Sequence, residues 1–127
     1  MRNFRDYDFW RDSIFLAKNI YTLTNSFPKN DAIINQMHRA VISISSNIAE
    51  GSSRVSSNEF ARYLEISNGS AFELESQVEL SFQFNYIDKK EYDKLISEKL
   101  WKSIYLFVIA PYKLSKTTNK KRRIDYD

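Results

Sequence analysis

The chain has 127 residues, of which 43% are apolar and 15% aromatic, a composition that suits one domain with a real hydrophobic core. It contains no cysteine, which excludes a disulfide scaffold and a thiolate metal site. The charged, aromatic N-terminus lacks the apolar block of a signal peptide, and no apolar run is long enough for a transmembrane helix. We therefore expect a soluble cytoplasmic protein that makes no membrane contact.

Positive charge is concentrated at the C-terminal end of the chain. The net charge is +3, but residues 111–127 hold six basic residues against two acidic ones, so the rest of the chain carries −1. Such a run attracts nucleic acid by releasing counterions, although it is more often a solvated, disordered end. We expect a folded domain over residues 1–112 and a basic, disordered tail over residues 113–127.

The first predicted helix runs from about Asp8 to Asn25, where apolar residues recur close to the helical period. It ends at Phe27-Pro28, because a residue before proline avoids the α region. The whole chain has only two glycines and two prolines, and this scarcity of turn residues favours a few long helices over an all-β fold.

The second predicted helix follows a cap at Asn30 or Asp31. Residues 41–45 alternate like a strand, but the alternation then fails and a longer seam with helical spacing continues through it. We expect Gly51 to end this helix through a left-handed C-cap. The seam consists of Met37, Val41, Ile44 and Ile48.

The third predicted helix follows a capping box at residues 56–59 and extends from about Ser57 to Asn85. Its seam is bulky at both ends and small in the middle, which lets a neighbouring backbone approach, so that Gly69 need not break the helix. The seam consists of Phe60, Leu64, Ser67, Ala71, Leu74 and Val78.

The fourth predicted helix starts at the capping signature of residues 88–91, carries apolar residues from Tyr92 to Val108 and ends before Pro111. Four amphipathic helices with short connections predict an all-α fold, an antiparallel up-and-down four-helix bundle. A surplus of aromatic residues predicts self-association, the alternative being an ordinary core with tyrosine hydroxyls at its edge. The surplus consists of Phe72, Phe82, Phe84 and Tyr86.

Catalytic and metal-binding patterns are weak. His38 is the only histidine, and Asn35 rather than a carboxylate precedes it by three residues, so we interpret it as a surface histidine. Glu75 and Glu79 share a helical face and could ligate a cation, but a solvated acidic face explains them better. The sequence has no G-x-S-x-G turn and no glycine-rich phosphate loop. We expect no enzyme activity, no cofactor and no metal.

A polar stripe on the second helix leaves two interpretations open. In the structural one, Asn47 and Glu50 hold the 51–57 connection in place, and Arg39 pairs with a carboxylate on the third helix. In the functional one, arginines and the basic tail contact phosphates. The stripe consists of Gln36, Arg39, Ser43, Asn47 and Glu50. The candidate phosphate contacts are Arg39, Arg54, Arg62, Lys120, Lys121, Arg122 and Arg123.

The same residues carry a family resemblance. The motifs are Phe27-Pro28, QMHRA at 36–40, SISSNIAEG at 43–51, GS at 69–70 and ELE at 73–75. They resemble the bacterial four-helix bundle proteins, also called ribosomal RNA intervening-sequence proteins, over about residues 5–110. One departure is Ser45, where the family commonly has proline, and the loop after Pro28 is slightly shorter.

The resemblance implies an antiparallel four-helix bundle that assembles into homopentamers. It also implies a relation to the accessory variability proteins of diversity-generating retroelements, which bind nucleic acid and a reverse transcriptase through basic surfaces. The motif residues would be structural or interfacial, and no catalytic role comes with them. They are Gln36, Arg39, Asn47, Glu50, Gly51, Gly69, Ser70 and Glu73.

The sequence thus predicts a non-enzymatic, oligomeric four-helix bundle that binds RNA, DNA or a ribonucleoprotein partner. The alternative is a structural or protein-interaction module without nucleic-acid binding. Either hypothesis makes a second copy of this chain the first expected partner.

Overall fold

Four helices follow one another in the computed structural model, which describes residues 2–97. A short 3₁₀ turn at Phe4–Asp6 comes first. The helices are α1 (Asp8–Thr24), α2 (Ala32–Ser52), α3 (Ser57–Gln83) and α4 (Lys89–Ser97).

Consecutive helices run antiparallel. Thr24, at the end of α1, bonds His38 near the start of α2. Ser67 and Ser70 of α3 bond Ile44 and Ser43 of α2, so that residue numbers rise on one helix as they fall on the other. The predicted all-α antiparallel four-helix bundle is confirmed, and residues 2–97 contain no strand. The predicted part of the fourth helix up to Val108 and the predicted tail lie outside the described residues.

The core is built from the two predicted seams. All four seam residues of α2 and all six of α3 are buried. Leu16 and Ile20 of α1 and Leu95 of α4 complete the same cluster. Because the apolar positions repeat at alternating steps of three and four, each helix turns one continuous face inward.

Local side-chain caps start three of the helices where the sequence predicted them. Asp31 accepts a hydrogen bond from the Ile33 amide at 3.0 Å. Ser56 accepts one from the Glu59 amide at 3.1 Å, and Asp88 accepts one from the Glu91 amide at 2.8 Å. These bonds satisfy amides that have no partner inside the helix.

The predicted role of Gly51 as a left-handed cap is wrong. α2 continues through Gly51 to Ser52, and no glycine in residues 2–97 has a positive φ. A Cβ placed on Gly51 would lie 2.6 Å from Tyr63 Cβ and 3.0 Å from Phe60 Cδ1. Glycine is therefore required here because α3 passes close to α2, and not because the backbone turns.

Within residues 2–97, no helix combines the length and the apolar character needed to cross a bilayer.

Candidate functional site

The polar stripe of α2 forms hydrogen bonds with α3 at its centre. The Ser67 hydroxyl donates to the Ile44 carbonyl at 2.9 Å, and the Ser70 hydroxyl lies 2.7 Å from that of Ser43. The Asn47 amide donates to the Ser43 carbonyl at 2.8 Å. These short side chains satisfy one another and let the two helices approach closely. Asn47 was predicted to hold the 51–57 connection, but in the described residues its amide bonds Ser43 within α2 instead.

Glu50 holds the connection after α2, as the structural interpretation predicted. The Arg54 guanidinium donates to Glu50 Oε1 at 3.2 Å and to the Tyr63 hydroxyl at 2.6 Å. Its carbon also lies 5.0 Å from the centre of the Tyr63 ring. Arg54, a candidate phosphate contact, thus already bonds Glu50 and Tyr63 within the subunit, although its side chain stays 40% exposed.

Arg39 and Arg62 are exposed, and neither forms a salt bridge with any residue of the described range 2–97. The expected pairing of Arg39 with a carboxylate of α3 is therefore absent from this range. The register of the two helices places Arg39 opposite a position about twelve residues beyond Arg62, a separation of about 18 Å along the axis. Arg39 and Arg62 therefore do not form one patch.

Arginines gather at one end of the bundle, a feature that sequence reasoning missed. We call it the arginine end. It is where the N-termini of α1 and α3 meet the C-terminus of α2, and it holds five of the six arginines in residues 2–97. The five are Arg2, Arg5, Arg11, Arg54 and Arg62.

Aromatic rings support three of these arginines. Arg2 donates to the Arg54 carbonyl at 2.8 Å and lies 4.9 Å from the centre of the Phe60 ring. Arg5 lies 4.8 Å from the centre of the Phe4 ring. The alternation of arginine and aromatic residues in RNFRDYDFWR was the available sequence signal. The contact between Arg2 and Arg54, which are 52 residues apart, was not visible in the sequence.

Acidic residues balance the formal charge of the arginine end. Asp8 pairs with Arg11, and Glu50 pairs with Arg54. The five acidic residues are Asp6, Asp8, Asp12, Glu50 and Glu59. A ligand at the arginine end would therefore be held by the geometry of the guanidinium groups and rings more than by a strong electrostatic field.

His38 is half-buried, so its interpretation as a surface histidine is wrong. Its ring stacks on Tyr21 with centroids 3.7 Å apart, and its Nε2 lies 2.8 Å from the Thr24 hydroxyl. Burial lowers the pKa of His38. The ring joins α1 to α2.

The glutamates of α3 pair with neighbouring side chains. Glu79 accepts hydrogen bonds from the Tyr92 hydroxyl at 3.1 Å and from the Gln83 amide at 3.4 Å, and the bond from Tyr92 raises the pKa of that phenol. Glu73 accepts one from the Gln77 amide at 3.3 Å. In the described part of the chain, no group of three or more histidine, cysteine or acidic side chains is arranged to hold a metal ion.

The four surplus aromatic residues differ in how far they are covered. The ring of Phe82 stacks on that of Tyr92, and the rings of Phe84 and Tyr86 lie with their centroids 5.6 Å apart. Phe72 and Phe84 nevertheless stay 53% and 50% exposed. Part of the surplus therefore packs within the subunit, and part of it faces outward.

Comparison with known proteins places this geometry in a family. A crystal structure of a protein of unknown function from the S23 ribosomal protein family of Bacteroides thetaiotaomicron VPI-5482 superposes with a TM-score of 0.71. It is 25% identical to this chain, and the match covers 80% of this chain and 95% of that one. A search of curated proteins found no match. The model of the 23S rRNA-intervening sequence proteins matches residues 5–100, which confirms the resemblance seen in the sequence, and the chain belongs to the 23S rRNA-intervening sequence protein family.

Proposed function

We propose that the protein is a non-enzymatic helical bundle that self-associates and binds RNA, with the arginine end and the basic tail as its contact surfaces. The observation that carries this proposal is the gathering of five arginines, three of them over aromatic rings, at one end of the bundle. The description of the family, which refers to sequences within 23S rRNA, supports RNA over other polyanions.

The chemistry of the arginine end suits single-stranded RNA. Guanidinium groups form paired hydrogen bonds with phosphate oxygens, and unstacked bases pack on aromatic rings and on guanidinium planes. Arg62 is exposed and has no salt bridge within residues 2–97, and Arg5 contacts the Phe4 ring. Both guanidinium groups therefore have hydrogen-bond donors available for a phosphate.

The family motif supports a non-enzymatic role. Asn47, Ser70 and Glu50 bond to neighbouring side chains or backbone, and Gly51 makes room for Tyr63. The most specific residues of the motif therefore serve the packing of α2 on α3.

A protein-interaction module without RNA binding is the second candidate. The balanced charge of the arginine end and the exposed rings of Phe72 and Phe84 favour it. The two candidates differ in one measurable property: the first binds RNA with an affinity that falls steeply as salt rises, and the second does not bind RNA.

The test is binding of a short unstructured RNA to the full chain at about 50 mM and about 200 mM salt. The variant Arg5→Gln/Arg62→Gln should weaken binding and reduce the slope of log affinity against log salt by about 0.7 for each phosphate that is no longer neutralised. Lys29→Gln/Lys90→Gln is the matched control, because it removes the same charge from the opposite end.

Three results would contradict the proposal. Absent binding, or binding that ignores salt, would leave the protein-interaction module. An equal loss in the lysine control would show that the arginine end has no special role.

A further inference from the structure

The outward face of α3 carries a second stripe opposite its core seam. All five of its positions are exposed, and they repeat at alternating steps of three and four, as the buried seam does. Ile66 and Leu80 are 47% and 43% exposed. The stripe, which we call the outer α3 stripe, consists of Ile66, Gly69, Glu73, Ser76 and Leu80.

Gly69 is the least expected residue of the outer α3 stripe. It lies in the interior of a 27-residue helix, where glycine is destabilising relative to alanine. A Cβ on Gly69 would meet no atom within 4 Å, and Gly69 does not have a positive φ. Nothing within the described subunit requires glycine at this position, whereas a second backbone packed against it would.

The outward face of α2 carries a matching stripe. Its four positions are exposed and repeat at steps of four, three and four, and Ile42 is 47% exposed. Arg39 forms no salt bridge within residues 2–97. This outer α2 stripe consists of Asn35, Arg39, Ile42 and Ser46.

We propose that the outer α3 stripe of one copy packs antiparallel on the outer α2 stripe of a second copy, with Ile42 seated on Gly69 and Arg39 paired with Glu73. The inference rests on the self-association proposed above and names its surface. In this register a large side chain of each helix faces a small residue of the other. Ile42 of α2 faces Gly69 of α3, and Ile66 of α3 faces Ser46 of α2. The charges match in the same register, which is why we favour a second copy of this chain over another protein.

This pairing joins two different surfaces of the same molecule, so it is a heterologous contact. Each copy keeps one free outer α2 stripe or one free outer α3 stripe after the first contact forms. Repetition therefore gives a ring when the rotation closes and an open assembly when it does not. An isologous dimer would instead use one surface twice.

Charge reversal tests the pairing of Arg39 with Glu73. Arg39→Glu and Glu73→Arg should each weaken association of the full chain by about tenfold or more, measured by sedimentation or light scattering across a dilution series. The double variant Arg39→Glu/Glu73→Arg should restore association with itself but should not co-assemble with the unmodified chain. Lys29→Glu, an exposed charge elsewhere, is the control and should leave the mass unchanged.

The variant Gly69→Ala shows whether Gly69 lies in an interface between copies or on a free surface that accepts a larger residue. The added methyl group meets no atom of residues 2–97 within 4 Å, so it should raise the melting temperature of dilute, dissociated protein. The same methyl group should weaken association, because it occupies the place of Ile42. An increase in melting temperature with unchanged association would overturn the packing at Gly69.

The outcomes distinguish this inference from the proposed function. A chain that stays monomeric at every concentration overturns both the pairing and the proposed self-association. An oligomer whose mass ignores both charge reversals overturns the pairing alone and leaves self-association intact. Circular dichroism confirms that each variant remains helical.

Discussion

His38 connects the stability of the protein to pH near neutrality. It is the only histidine, and the chain has no cysteine, so no other side chain ordinarily titrates between about pH 5.5 and 7.5. Burial against Tyr21 and Thr24 lowers its pKa in the folded state below the usual value of 6.5. The unfolded chain therefore binds the proton more readily than the folded chain does.

The sign of the effect follows from this difference. Stability is fully present above the unfolded pKa and is lost as pH falls from about 6.5 towards the lower folded pKa. The melting temperature should therefore decrease over this window, measured by circular dichroism from about pH 7.5 to 5.5. His38→Gln keeps a polar partner for Thr24 and cannot titrate, so its melting temperature should be flat over the same window. A parallel decrease in both proteins would contradict the assignment to His38.

The spacing of α2 and α3 depends on Gly51. Gly51→Ala should lower the free energy of unfolding by about 1–3 kcal/mol, although alanine is the better helix former, because its Cβ overlaps the Tyr63 Cβ. Urea unfolding at concentrations that dissociate the assembly measures the change. Gly69→Ala is the matched control and should raise the free energy of unfolding by about 0.5–1 kcal/mol, since its Cβ meets no atom of residues 2–97 within 4 Å. Equal effects of the two substitutions would show that the overlap relaxes freely.

The helices could be predicted from the sequence because their signals are local. The caps at Asp31, Ser56 and Asp88 act over two or three residues, and the core seams repeat within each helix. The role of Gly51 could not be predicted in this way. A glycine after a helical seam carries the same local signal whether it turns the chain or makes room for another helix, and only the position of Tyr63 distinguishes the two.

Parts of the candidate site were predictable to the same degree. The bond between Glu50 and Arg54 joins residues one helical turn apart, so it could be predicted. Asn47 was given the wrong partner, because its amide bonds Ser43 in the same helix and not the 51–57 connection. The arginine end depends on Arg2 reaching the α2–α3 connection, and no periodic pattern encodes such a long-range contact. His38 was misinterpreted for the same reason, since Tyr21 and Thr24 belong to another helix.

Charge is divided unequally between the body of the molecule and its C-terminal end. Residues 2–97 hold eleven lysines and arginines against thirteen acidic residues, whereas residues 111–127 hold six basic residues against two acidic ones. Self-association would gather several copies of the basic segment around one body that is close to neutral. Several basic segments on one particle raise both the local positive potential and the effective concentration of phosphate contacts. The affinity for RNA that one segment adds is modest, but together the segments add a large one.

The tail should therefore affect RNA binding without affecting assembly. Deletion of residues 116–127 removes five lysines and arginines, and it should weaken RNA affinity and lower the salt slope by about 0.7 for each phosphate that the tail neutralises. The number of copies in the particle should stay unchanged, because the proposed contact between copies uses only α2 and α3. A matched control keeps the length and replaces Lys120, Lys121, Arg122 and Arg123 with glutamine, which separates charge from chain length. Unchanged affinity in both variants would show that the tail serves only solubility, and a particle with fewer copies would show that it takes part in assembly.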